Sequence, residues 1–411
     1  MNIIQKIRTY GIKGIFNYIV AFNKRRQKKT FFLKNMRMHP CPQPLPGITI
    51  VGPLTTNASL SKVLRDFAYS LKDAKIPFQA FNTDSTKSVP DSDIQGILTP
   101  KDDFQLLKYS HIIDLMVDPL PVRVPRARWR IVFWEFESGL LSVYPELKSS
   151  IGIIGFSDFN AKVFRKALPL STPVCKVLYP FRQVPIDKSQ TLGIRKKYGI
   201  DPDDFVVFFN FDFASSANRK NPDGVIKAFA KAFHGIPKTK LVFKTMRAKL
   251  FPERMNQLLT LASDLGIADH FICINNYISQ QDLYALTDTC DVYISLHRGE
   301  GFGLGIAEAM SLGKAVIVTD YSSTTEFCNT NNSIPIPYKL VKVPRAMKDH
   351  DFYTDVESWA EPDIEVAAIE LQRLFRQPKE RQKLGQSAHS FISEHFSIDN
   401  FKHSILELLT N

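Results

Sequence analysis

Residues 295–326 read SLHRGEGFGLGIAEAMSLGKAVIVTDYSSTTE, an apolar strand led into a helix through a glycine-rich loop. Asp291 to Leu296 (DVYISL) has the composition of a buried strand, and Leu304 to Leu312 carries helical apolar spacing. Gly299, Gly301, Gly303 and Gly305 therefore fall in the turn and the first helical residues. A helix amino terminus offers unpaired N–H groups and a partial positive charge, and missing side chains let an anion approach the backbone closely. A diphosphate suits that geometry. Glu300 stands before the glycines and Glu308 eight positions later, about one turn into the helix. Two acceptors thus flank the anion's place, and carboxylates there suit sugar hydroxyls.

Outward from this segment, strands alternate with helices. Ile48 to Val51 reads as a strand and Ser59 to Leu71 as its helix; further strands are Ile112 to Val117, Arg130 to Trp134, Ile151 to Phe156 and Val174 to Leu178, with a helix at Asp158 to Lys166. After a polar linker from Arg182 to Gln190 come strands at Phe205 to Phe209, Leu241 to Lys244, Phe271 to Ile274 and Ala315 to Val318. Such alternation in both halves predicts an α/β protein with two doubly wound parallel sheets and ligand in a cleft between them, beyond the carboxyl ends of the strands. The expected divisions are an arm over 1–40, a first Rossmann-like domain over 45–185, a second over 191–395, and a last helical stretch over 396–411. A length of 411 residues suits two domains, each with its own core.

The formal net charge of +12 is concentrated. Ten basic residues from Lys6 to Arg37 precede the first acidic residue, Asp66, and the remaining body is close to neutral. Ile4, Ile7, Gly11, Ile15, Tyr18 and Phe22 form one stripe on a helical wheel, with Lys6, Lys13 and Lys24 opposite. The apolar run from Gly14 to Phe22 is far shorter than the roughly 20 residues that span a bilayer, and NKRRQKK follows where a signal peptide has small residues. A basic amphipathic arm over 1–37 predicts peripheral attachment to anionic lipid at the cytoplasmic face of a membrane. The alternative is that this helix packs on the protein's own first domain with its charges merely solvated; a nucleic-acid binder using the arm is a further rival, but no zinc spacing or aromatic-rich reading surface accompanies it, so no nucleic-acid partner is expected.

Cys41, Cys175, Cys273, Cys290 and Cys328 are odd in number, scattered, and form no C-x-x-C pair. Reduced thiols and no zinc site are expected. Asp91-Ser92-Asp93 and Asp201-Pro202-Asp203 lie in turn-like contexts and read as solvated loops, so neither a metal nor any other cofactor is expected.

The segment with Glu300 and Glu308 resembles the E-x7-E signature of retaining glycosyltransferases of family 4, and so do Asn210 to Asn221 (NFDFASSANRKN), Tyr277 to Leu296, Asn332 to Val343 (NSIPIPYKLVKV) and Trp359 to Ala368 (WAEPDIEVAA). The resemblance implies the GT-B fold, a nucleotide-diphosphate-sugar donor, and a last helix that crosses back to the first domain. It implies that Arg219 and Lys220 hold the donor diphosphate, since a guanidinium grips two phosphate oxygens and an ammonium adds a point charge. Lys244, at a strand end, is a further candidate. Glu300 would bond the donor sugar and stabilise charge developing on its ring, and Glu308 would hold the ribose. The amides of Gly301, Phe302, Gly303 and Leu304 would meet the phosphates, and Tyr277 and Ile278 the base. Trp134-Glu135-Phe136 is similar to a W-E-L segment of a subgroup, which makes Glu135 the acceptor-side candidate. The family's G-x-G turn after the first strand is replaced by NASLSK, with Ser59 and Ser61. The expected activity is transfer of the sugar, with retention and without a metal, to a polysaccharide or lipid-linked glycan of the cell surface. A catalytically degenerate subunit and a nucleotide-sugar 2-epimerase are the alternatives.

Overall fold

The computed structural model describes residues 43–56, 59–83, 94, 96–99, 108–116, 127–144, 147, 152–182, 185–344 and 356–410. The basic arm, Cys41, Asp91 and Asp93 lie outside the described residues.

β1 (Leu45–Gly52), β2 (Phe78–Asn82), β3 (Tyr109–Leu115), β4 (Ala127–Ile131), β5 (Gly152–Gly155) and β6 (Val174–Lys176) form a six-stranded sheet in the order β2-β1-β3-β4-β5-β6. Its β1–β2, β1–β3, β3–β4 and β4–β5 pairs are parallel. β1 begins at Leu45, between Pro44 and Pro46, with a register irregularity between Leu45 and Ile48. Asp114 on β3 is fully buried and receives Arg130 Nε at 2.9 Å and Arg128 Nε at 3.0 Å, so it serves the sheet. Burying an ionised carboxylate is tolerable only with such pairing.

β7 (Phe205–Asp212), β8 (Thr239–Met246), β9 (Phe271–Ile274), β10 (Val292–Ser295), β11 (Ala315–Thr319) and β12 (Ile334–Ile336) form the second sheet, in the order β12-β11-β10-β7-β8-β9. All its pairs are parallel. Val207, Phe209, Phe211, Leu241, Phe243, Ile294 and Ile317 share one buried cluster with Phe229 and Phe233 from helix Pro222–Phe233 and Leu371 and Leu374 from helix Ile364–Arg376. Alternate positions along β7 put Phe205, Val207, Phe209 and Phe211 on the covered face, and each fully buried apolar side chain contributes about 1.5–3 kcal/mol. The strand order reverses between β7 and β10, which neighbour each other although two strands separate them in sequence. Ligands of doubly wound sheets bind at such a switch point, beyond the carboxyl ends of the strands. β13 (Tyr338–Lys342) and β14 (Ser358–Pro362) add an antiparallel pair.

By compactness the described residues form two units. One takes in those up to Val132, Ile151–Ile154 and the stretch from Lys402 onward; the other takes in Phe133–Ser150 and Gly155–Phe401. No helix among the described residues is long and apolar enough to cross a membrane.

Candidate active site

Two loops of the second unit meet at the switch point. The first follows β7. Asn221 adopts a left-handed backbone (φ 56°), its Oδ1 accepts from Gly224 N at 3.1 Å, and Pro222 opens helix Pro222–Phe233. Proline is pre-organised for a first helical position, and asparagine tolerates both the cap and the left-handed turn. Asn221 Nδ2 also donates to Leu296 O at 2.8 Å, tying this loop to the end of β10. Arg219 and Lys220 stand just before it, in the single helical turn Ala217–Lys220.

The second loop follows β10 and carries Glu300. Lys220 Nζ bonds Glu300 Oε1, and Arg219 Nη1 lies 3.5 Å from Oε2. Arg219 Nη1 also donates to Gly299 O at 2.7 Å and Nη2 to Ser215 O at 2.9 Å. Nη2 approaches Glu135 Oε1 at 3.4 Å, so one guanidinium stands between two carboxylates. Glu300 N donates to Ser322 Oγ at 2.8 Å and its carbonyl accepts from Ser323 N at 3.3 Å, which fixes its backbone from the far side.

Charge is the organising feature of this buried group. Burial by itself would raise the Glu300 carboxyl, but the Lys220 ammonium and then the Arg219 guanidinium outweigh it and hold the group at about 2. Glu135 is pushed up, because desolvation exceeds the opposing pull of Arg219, and Glu300 adds to the rise. Lys220 is moved down by desolvation, which its attraction to Glu300 only partly offsets. His297, fully buried, is lowered to about 3 by the same desolvation and is neutral near pH 7. Its Nε2 lies 3.3 Å from Thr324 Oγ1.

Beyond Glu300 the chain turns into helix Leu304–Ser311. Gly303 caps it at φ 99°, a conformation that side chains with a Cβ rarely adopt. The amides of the first helical residues have no acceptor within the helix. Phe302 points its ring inward, stacked on Tyr179 with centroids 4.7 Å apart, so it offers a ligand its backbone. Glu308 is buried within the helix and accepts from Tyr284 Oη at 3.3 Å. Tyr293 Oη donates to Asn210 Oδ1 at 2.6 Å, and its hydroxyl is raised well above the ordinary value by burial, then by Glu300 and Glu308.

Among the residues singled out from sequence, Glu300, Arg219, Lys220 and Glu135 are in one mutually contacting group, with Gly301, Phe302, Gly303 and Leu304 leading from it to Glu308. Lys244 is placed elsewhere. β8 continues past it to Met246, and its buried Nζ donates to Thr245 O at 2.8 Å. Tyr277 is 59% exposed and Ile278 half-buried, beyond the end of β9. Asp203 of the Asp201-Pro202-Asp203 pair bonds Lys238 on the surface. Cys175, Cys273, Cys290 and Cys328 are free thiols. Sequence reading missed Ser322 and Asn221; the only signal for Asn221 was its place as a cap residue before Pro222.

Residues 192–335 match the family model of the group 1 glycosyl transferases. That segment holds both loops, Glu300 and Glu308. The serotype-specific mannosyltransferase WbdA of Escherichia coli is 25% identical over 172 residues, 41% of this chain. The chain spans about a fifth (20%) of WbdA's length. Among solved structures, Anabaena Alr3699/HepE in complex with UDP and glucose has a TM-score of 0.59 at 15% identity, covering 89% of this chain and 100% of that one. WaaG, a glycosyltransferase involved in lipopolysaccharide biosynthesis, has a TM-score of 0.57 at 14% identity over 89% and 100% of the two chains. These likenesses show the fold: it is α/β with two doubly wound parallel sheets, the GT-B type.

Proposed function

We propose that this chain is a retaining glycosyltransferase of the family 4 type. It takes a nucleotide-diphosphate-sugar donor and transfers the sugar, without a metal ion, to a polysaccharide or lipid-linked glycan. The observation that carries the reading is the convergence of Lys220 and Arg219 on Glu300 at the turn that leads into helix Leu304–Ser311. Two cations, free helix amides and a carboxylate are what a sugar diphosphate needs: positive charge for the leaving phosphate and an acceptor for hydroxyls. A bound diphosphate would draw Lys220 and Arg219 and release Glu300 to the sugar. Lys220, Arg219 and the helix amides would then offset the negative charge that grows on the phosphate as the glycosidic bond breaks. Glu135, raised by burial, favours its protonated form more than an ordinary glutamate and would face the acceptor. The match to the group 1 model and the WbdA and WaaG likenesses support a surface-polysaccharide acceptor.

The test is thermal stabilisation by UDP, GDP, dTDP and their common sugars. One nucleotide is expected to raise the midpoint, and Lys220→Ala to weaken its binding tenfold to a hundredfold, on the order of 1.5–3 kcal/mol for a charge-assisted bond. No shift with any nucleotide sinks the reading. A second reading, a subunit that binds donor without transferring, is favoured by the altered loop after β1. There Ser61 is buried and bonded to Thr56, and Arg65 clamps the carbonyls of Leu54 and Thr56 at 3.1 and 2.7 Å. Binding without transfer to any glycan would select it; product from donor alone would select an epimerase.

We also propose that the arm over 1–37 attaches the protein to the inner face of the cytoplasmic membrane, at roughly 1 kcal/mol per nearby cation. The chain is expected to float with anionic liposomes at low salt, and deletion of 1–37 to abolish flotation. An intact chain that stays unbound rules the arm out.

A further inference from the structure

We infer that Arg298 is the positioning residue that sets the cation pair against Glu300, with Glu361 and Trp359 of β14 as its anchor. The inference rests on the donor-site reading above. Arg219 and Lys220 sit in a helix of four residues, Ala217–Lys220. One helical turn fixes several dihedrals for a single hydrogen bond and does not hold itself in water. Something outside it must fix the direction in which its cations point.

Arg298 does so from the other loop. Its guanidinium Nη1 donates to Asn218 O at 2.6 Å, and its backbone N donates to Arg219 O at 2.8 Å, so it holds two consecutive carbonyls of that turn. The outer side of the same guanidinium is gripped by Glu361, Nε to Oε2 at 2.6 Å and Nη2 to Oε1 at 2.8 Å. The Trp359 ring lies 4.8 Å from the guanidinium carbon, and Ala360 N donates to Arg298 O at 3.1 Å. Arg298 stands two positions before Glu300. One side chain therefore ties together the turn that carries both cations, the loop that carries their carboxylate, and β14. A planar fork meets a carboxylate with one edge and a carbonyl with another; a lysine ammonium, whose three donors share one nitrogen, cannot reproduce that spacing.

The experiment is calorimetric titration of whichever of UDP, GDP and dTDP binds the unmodified chain. The variants are R298A, R298K, E361Q and K220A, with thermal midpoints measured alongside. R298A and R298K are expected to weaken binding about tenfold, E361Q about threefold, and millimolar guanidinium to restore R298A but not K220A. A purely structural arginine would lower the thermal midpoint of R298A without weakening nucleotide binding by the folded protein. R298A binding within about twofold of the unmodified chain, while K220A loses affinity, overturns the inference and leaves the donor site standing. Unchanged affinity in K220A as well, or no nucleotide bound by the unmodified chain, overturns the donor reading and this inference with it. Should R298A fail to fold, E361Q decides, because it keeps the shape of its side chain: unchanged affinity there overturns the inference.

Discussion

Glu300→Ala is expected to lower the transfer rate by about 10²–10³-fold, while nucleotide affinity changes less than tenfold. On the proposed reading Glu300 meets charge developing in the transition state while other groups hold the nucleotide, and removing such a preorganised group costs that much. The same change leaves Lys220 buried without its carboxylate and Arg219 with Glu135 alone, and breaking a buried pair from one side destabilises by about 3 kcal/mol or more. Stability should therefore fall together with rate, and Glu300→Gln, which keeps the shape and loses the charge, should show the same order of loss. The carboxyl sits at about 2 against an ordinary 4.5. A depressed folded-state value means that the ion pair's contribution is complete above about pH 4.5 and fades as pH falls through about 2. Glu326 is also held at about 2, where His395 at 3.8 Å and bonds from the Asp158 amide and Lys176 at 3.0 Å outweigh its desolvation, so it titrates in the same window. The unmodified chain should lose stability steeply between pH 4.5 and 2, and Glu300→Gln should lose it less steeply, Glu326 supplying the remainder. Identical slopes, measured by chemical denaturation at each pH, would remove Glu300 from the buried ion-pair role.

What the sequence disclosed followed from local chemistry. The glycine turn, the strand before it and the helix starting at Leu304 were legible because each is a property of adjacent residues: apolar runs, missing side chains, helical spacing. β7 and β8 are legible as strands but extend beyond Phe205 to Phe209 and Leu241 to Lys244, because Asn210, Asp212 and Thr245 end the apolar runs while the ladder continues to pair Asn210 with Lys244 and Asp212 with Met246. β2 (FQAFN) is too short and too polar to announce itself. The site's long-range fixings had no local signature at all. Arg298 finds Glu361 63 positions later, and Glu300's amide finds the Ser322 hydroxyl 22 positions later. Arg219 between Glu135 and Glu300 depends on a loop of the second unit that precedes β7 in the chain. Lys244 shows how strand length changes a side chain's place. A lysine at an apparent strand end reads as facing the ligand edge, yet the extra strand residues put it inside the sheet, with its ammonium turned to Thr245 O.

Gly305→Ala is expected to destabilise the second unit by about 1–3 kcal/mol, although alanine is the better helix former, and to weaken nucleotide binding about tenfold. A Cβ built at Gly305 falls 2.5 Å from both Asn210 Oδ1 and Tyr293 Oη, well inside contact distance. Those two atoms cannot simply step aside: they are bonded to each other at 2.6 Å, Tyr293 is buried, and they rise from β7 and β10, the two strands of the switch point. The helix must move outward instead, and with it the amides that its first turn presents. The close approach also predicts a coupling. Tyr293→Phe alone loses one buried hydrogen bond, about 1 kcal/mol, but it deletes one of the two obstructing atoms. The double variant Tyr293→Phe/Gly305→Ala should therefore be more stable than the sum of the single losses allows, by about 1 kcal/mol in a thermodynamic cycle. Simple additivity would mean that the glycine is dispensable to the packing, and that the helix amides owe their position to something other than its contact with Asn210 and Tyr293.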